Sequence, residues 1–323
     1  MQKINLLEKF TNILLQQLPK RYELVAEVAD LLKIERESAS RRLSGKVQFT
    51  VQEIGILASH FGISLDNLLN DRFNAIHFEM NVPLKADSFE PVINQLTKFL
   101  NNQSTLDGDI LELGTVFDSF PVEFYMKYPI LNKFMYFKWG HQFTRSNEFY
   151  DFSSWELPAD IIRYHAELEK IYRKYTMVYY IWDKAVIWNL INDLAYYKRL
   201  HVISDEDTLL IKEDIHQMLY YVESVARGVC DNKKRMRDGN VALYIPNTHI
   251  GMYYSYHISE GSGFCFFKSN FIQSSISNDY VTVKKVQDWF RNMTKVSTLI
   301  TESGELDRRL FFARQHKIVD DHL

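Results

Sequence analysis

Between Lys33 and Lys46 the chain reads KIERESASRRLSGK, with five basic residues (Lys33, Arg36, Arg41, Arg42, Lys46) and two acids (Glu35, Glu37). Over residues 1–70 nine basic residues face eight acidic ones, so the positive charge is gathered on this short stretch. Guanidinium and ammonium groups hold phosphates, and Arg, Glu and Ser side chains can also hydrogen-bond the edges of bases. Arg36, Glu37, Ser38, Ser40, Arg41, Arg42 and Lys46 are therefore the candidate nucleic-acid contacts. Arg41 and Arg42 diverge by about 100° on a helix, which leaves one to read a base and the other to hold a phosphate.

Other chemistry is poorly represented. The ten histidines form no HExxH or similar ligand spacing, and His141, His165, His249 and His257 read as core-edge or surface residues. EGSG at 260–263 is too short for a phosphate loop and reads as a hairpin turn. No nucleophile elbow, Walker sequence or paired-cysteine motif occurs, so neither catalysis, a metal nor a cofactor is expected. Cys230 and Cys265 lie far apart, as in a chain from a reducing compartment. The N-terminal MQKINLLEKFTNILLQQL is amphipathic, unlike the apolar core of a signal peptide, and no stretch approaches the roughly 20 apolar residues of a membrane span. A cytoplasmic location with no membrane partner is expected. A net charge of -3 over 323 residues gives the whole chain no general attraction for polyanions.

The elements that must position the basic stretch are short helices. Leu6, Phe10, Ile13, Leu14 and Leu18 keep helical spacing up to Pro19, and Leu24, Val25, Val28, Leu31 and Leu32 form a second apolar face. A third helix over roughly Glu35 to Ser44 is closed by Gly45. TVQE at 50–53 is a capping box that opens a fourth helix, with Val51, Ile54, Leu57, Ala58 and Phe61 as its apolar face and Gly62 as its stop. Ser64 caps a fifth, carrying Leu65, Leu68 and Leu69. Five helices with one apolar face each can close around one core.

Ala29 in the middle of the second helix, Ile34 after the corner and Ala39 inside the third give the spacing of a helix-turn-helix. VADLLKIERESASRRLSGKVQFTVQEIGILASHFGISLDNLL resembles the Cro/phage-repressor (XRE-type) class of helix-turn-helix domains, in the form common in Bacteroidetes-type regulators. The resemblance covers about 70 of the 323 residues. It implies a lambda-repressor-like bundle whose third helix enters the major groove, acting in dimers that span half-sites about 34 Å apart. By position, Glu37, Ser38, Arg41 and Arg42 fall where the family reads bases, and Arg36 and Lys46 fall nearer the backbone. There are departures: Lys33 stands where glycine is usual, Glu35 replaces a serine or threonine cap, and Val25 replaces a phosphate-clamping glutamine.

After Asp71 the sequence becomes rich in aromatic residues. Residues 158–200 predict one or two long helices and Ser204 to Cys230 another, opened by SDED acids near its N-terminus. From Val241 to Ser275 alternation predicts strands, with EGSG joining GMYYSYHI to FCFFK. Helices return at Thr282 to Thr301 and Leu306 to His316, while Pro83 to Tyr150, broken by Pro91, Pro121 and Pro129, stays ambiguous. Tyr164, Tyr172, Tyr175, Tyr179, Tyr180, Trp182, Trp188, Tyr196 and Tyr197 suit a plain core and interface better than a ligand cavity.

The fold class expected is mainly α: a five-helix DNA-binding domain over 1–72, then a larger, mostly helical domain over 73–323 with a small antiparallel β-sheet. Some 250 residues exceed what dimerisation needs, and leave room for an effector, whether small molecule or peptide. The functional expectation is a sequence-specific DNA-binding transcriptional regulator, a homodimer on double-stranded DNA. The alternative is a protein-interaction adaptor that keeps the bundle without binding DNA.

Overall fold

The computed structural model describes residues 6–18, 20–63, 65, 79–80, 89–104, 106, 111–144, 146–228, 240–268, 274–301 and 304–323. The expected fifth helix after Ser64 lies outside them except for Leu65, and so does Cys230.

Helices α1 (Leu6–Gln17), α2 (Arg21–Leu32), α3 (Arg36–Leu43) and α4 (Val51–His60) enclose a core of Phe10, Leu14, Leu24, Val28, Ala29, Ala39, Leu43, Leu57, Ala58 and Ile63. The small side chains Ala29 and Ala39 are what allow α2 and α3 to approach at the corner. Val51 departs from the expected face of α4: it is 88% exposed, because the first turn of the helix stands clear of the core. The capping box is present, with the Glu53 amide donating to Thr50 Oγ1 at 3.2 Å and the Thr50 amide donating to Glu53 Oε2 at 2.8 Å.

The second body is an α/β fold, which corrects the expectation of a mainly helical domain with a small antiparallel sheet. Its strands are β1 (Glu79–Met80), β2 (Glu112–Phe117), β3 (Met177–Trp182), β4 (Asn240–Pro246), β5 (Tyr253–Ile258), β6 (Gly263–Lys268), β7 (Ser274–Ser277) and β8 (Ser297–Leu299). They form one mixed sheet in the order β1-β7-β6-β5-β2-β3-β4-β8. Its centre is parallel, β2 with β3 and β3 with β4, and every other pairing is antiparallel. Residues 177–182, expected to lie in a long helix, are instead a central strand. A strand covered on both faces lacks polar alternation, and MVYYIW carries none.

The helices are α5 (Glu90–Ser104), α6 (Val122–Tyr125), α7 (Pro129–Phe143), α8 (Ala159–Tyr172), α9 (Val186–Arg199), α10 (Asp205–Ala226), α11 (Tyr280–Thr294) and α12 (Glu305–His322). Parallel neighbours need long crossovers, and α6 to α8 supply the one from β2 to β3, α9 and α10 the one from β3 to β4. One sheet face, with Leu113, Phe117, Val178, Tyr180, Trp182 and Leu243, packs under α5 to α10 and α12. The opposite face, with Val116, Ile181, Tyr254, Tyr256 and Cys265, is covered by α11 through Val283, Val286 and Phe290. Gly114 makes room for this arrangement: a Cβ there would lie 2.2 Å from the Tyr256 ring. Among the described residues no helix is long and apolar enough to cross a membrane.

Candidate functional site

The corner between α2 and α3 turns on Lys33, whose backbone is left-handed at φ 52° and ψ 48°. The Ile34 amide donates back to the Ala29 carbonyl at 3.0 Å, the wrap that satisfies a helix end and delivers Ile34 to the core. A lysine in this conformation costs on the order of 1 kcal/mol where glycine would cost little. The strain is offset by the packing of Ile34 and by the closed helix end.

With Ala39 and Leu43 buried, the helical repeat turns Glu37 and Arg41 to the opposite side of α3. Arg36, Glu37, Arg41 and Lys46 are exposed, and Ser38 and Ser40 half-buried. The side chains of Arg36, Arg41 and Lys46 make no hydrogen bond or ion pair with a described residue. Arg42 differs. Its Nε and its terminal nitrogen both lie 3.0 Å from Glu53 Oε1, so its guanidinium is turned onto α4. Burial alone would raise the Glu53 carboxyl pKa, but the Thr50 amide and the Arg42 charge outweigh it and hold it below the ordinary value. The adjacent arginines thus differ: Arg42 locks the bundle and the Arg41 side chain stands out in solvent. The closing turn runs through Gly45 at φ 75°, with the Lys46 and Val47 amides both donating to the Arg41 carbonyl.

The α/β body carries polar groups that sequence reading did not single out. At the carboxyl ends of the parallel strands, Asp183 is 1% exposed. It accepts from the amides of Ala185 (2.9 Å), Ile250 (2.7 Å) and Gly251 (3.3 Å), and pairs with His249 Nδ1 at 2.9 Å. Burial opposes its charge, and these donors win, so its pKa is lowered. The carboxylate therefore straps the loop that leaves β4 across the end of β3. Beside it lies an open crevice of about 480 Å³ with Lys184, Trp188, His249 and Arg314 in its walls.

A second polar group lies beneath α5. His257 Nε2 is 3.1 Å from Ser255 Oγ, while its Nδ1 contacts Gln103 Nε2 (3.0 Å) and Tyr175 Oη (2.7 Å). Serine beside histidine invites comparison with a nucleophile and its base. However, both residues are 1% exposed and the Ser255 hydroxyl donates to the Gly114 carbonyl, so this is a satisfied buried network. His257, expected at the edge, is stacked on Phe264 inside the core, and His165 is buried too. His249 alone among the four histidines is well exposed, at 70% of its side chain.

Between α5, α6, α7, α8 and the strands β5 to β7 lies a cavity of about 100 Å³, lined by Tyr125, Tyr136, Tyr164, Tyr172 and Tyr253 with Glu123 and Lys268. Tyr164 and Tyr172 belong to the aromatic stripe read as plain core, and they are both core and cavity wall. Tyr180 donates to Glu123 Oε1 at 2.8 Å, and Lys268 Nζ stands 4.7 Å over the Tyr253 ring. Burial lowers the Lys268 pKa to about 8, against the opposing pull of Asp118 and Glu123. The cavity lining comes from seven separate elements, so no local spacing announces it. Among the described residues, no three His, Cys, Asp or Glu side chains gather as a metal site.

Comparison of the chain with known protein families, curated proteins and solved structures finds no match.

Proposed function

We propose that the chain is a sequence-specific DNA-binding transcriptional regulator, with α3 entering the major groove and the α/β body serving dimerisation and effector response. The observation that carries this reading is the outward face of α3. Arg36, Glu37 and Arg41 stand exposed there with Ser38 and Ser40 beside them, and no described residue neutralises either arginine. The tight α2–α3 corner supports it, since a recognition helix must be held rigidly against the helix that crosses the backbone. The resemblance of residues 1–70 to XRE-type domains agrees with it. Lys46, beyond the closing turn, suits a phosphate. Arg42, turned to Glu53, contributes through the rigidity of the bundle.

The test is a selection from random duplexes with the full chain, followed by titration of the selected and a scrambled duplex at 50 and 200 mM salt. A regulator prefers the selected duplex, and its log affinity falls with log salt by about 0.9 per phosphate neutralised. Arg41→Ala weakens the selected duplex towards the scrambled one. Absence of sequence preference, or affinity indifferent to salt, would leave the bundle as a protein-interaction adaptor.

A further inference from the structure

Helix α12 turns an apolar stripe to solvent. Its inward side, with Arg308, Phe311, Phe312, Gln315 and Val319, is buried on the α/β body. Opposite stand Leu306, 71% exposed, Leu310, 61% exposed, and the exposed Ala313, at the i, i+4, i+7 spacing of a single helix face. Scattered exposed leucines need no explanation, whereas two that adjoin on one stripe offer an association surface.

The charges beside the stripe say what it fits. Seven residues carry a helix through nearly two full turns, so Asp307 and Arg314 share one flank of the stripe, about 20° and roughly 10 Å apart. Both are exposed, and neither side chain makes a hydrogen bond or ion pair with a described residue. On the other flank Glu305 and Arg309 already answer each other within the helix, at 4.0 Å. In a symmetric antiparallel pair of helices, each flank meets the same flank of the copy. A twofold axis beside Leu310, midway between Asp307 and Arg314, therefore sets Asp307 of each copy against Arg314 of the other. A parallel pair would join opposite flanks and bring Arg309 against Arg314, which repel.

We infer that this face of α12 binds a second copy of the chain, antiparallel, with Leu310 at the centre and two Asp307–Arg314 ion pairs around it. Leu306 then lies towards Ala313 of the copy, whose small side chain leaves it room. That the dimer presents two α3 helices to one duplex rests on the DNA-binding reading. The association itself does not, and is measured on the full chain without DNA.

The test is sedimentation equilibrium over a wide range of protein concentration, where the parent is expected to dimerise. Leu310→Asp, Asp307→Arg and Arg314→Asp all fall at exposed positions and are checked for folding by circular dichroism. Each should weaken the dimer by about tenfold or more. An equimolar mixture of Asp307→Arg and Arg314→Asp should recover association to within about threefold of the parent, because each variant then offers the other the opposite charge at both positions. Three results would overturn the inference: a monomeric parent, a dimer that survives Leu310→Asp, or charge variants that fail to associate on mixing. A dimer of this kind without DNA preference would refute only the proposed function, and a monomer with such preference only this inference.

Discussion

Arg42 on α3 and Glu53 on α4 are joined through two guanidinium nitrogens, each 3.0 Å from the same carboxylate oxygen, whereas the Arg41 side chain, one residue earlier, meets no described partner. On the proposed reading, the two arginines separate stability from recognition. Arg42→Ala is expected to destabilise the N-terminal bundle by about 1 kcal/mol, the scale of a part-buried, hydrogen-bonded ion pair. Arg41→Ala should leave the melting temperature unchanged and narrow the preference for the selected duplex over the scrambled one. Thermal melts beside salt-dependent titrations of both variants check this, and equal melting losses would contradict the division.

The same carboxylate gives the bundle an acid limit. Glu53 has a folded-state pKa below its unfolded value, so its contribution is present above the unfolded pKa and is lost as pH falls through the folded one. Glu53→Gln is expected to be less stable than the parent at pH 7, with the difference shrinking towards pH 3. A constant difference across that range would show that charge is not what Glu53 contributes.

His165 sets a second pH dependence, in the α/β body. Burial against Tyr136 and Asn132 lowers its pKa to about 4, so the folded state keeps the ring neutral where the unfolded chain, near 6.5, binds a proton. Stability is thus full above about 6.5 and declines as pH falls towards 4, by at most roughly 3 kcal/mol at about 1.4 kcal/mol per pH unit. Urea denaturation at pH 7 and pH 4.5 should show this loss in the parent and a smaller one in His165→Asn.

Asp183 holds the loop after β4 by two backbone amides and His249. Asp183→Ala would orphan those donors together with the Ala185 amide, and a loss of about 2–4 kcal/mol is expected. Limited proteolysis should then cut between Pro246 and Met252 faster than in the parent. His249→Ala, which leaves the amides satisfied, should cost less than about 1 kcal/mol.

These groups show which parts of the molecule its sequence discloses. The bundle is legible because its determinants are local: Thr50 and Glu53 lie three residues apart, Gly45 ends a helix, and Ala29 and Ala39 mark a corner. The β5–β6 hairpin is legible for the same reason, its turn being short. The parallel centre is hidden. Met177–Trp182 is covered on both faces, so its apolar run carries neither helical nor alternating period. His257 and Gln103, 154 residues apart, meet only because β5 pairs with β2 under α5. The cavity is less visible still, since its lining is drawn from helices and strands far apart along the chain.

The sheet's two outer strands are its shortest, two residues in β1 and three in β8. An open strand edge is where a sheet recruits foreign chains, and brevity is one way proteins blunt it. Among the described residues, little backbone stands on either flank. Short flanks of this kind give a foreign strand little to extend, which is how an edge resists fibre-like stacking.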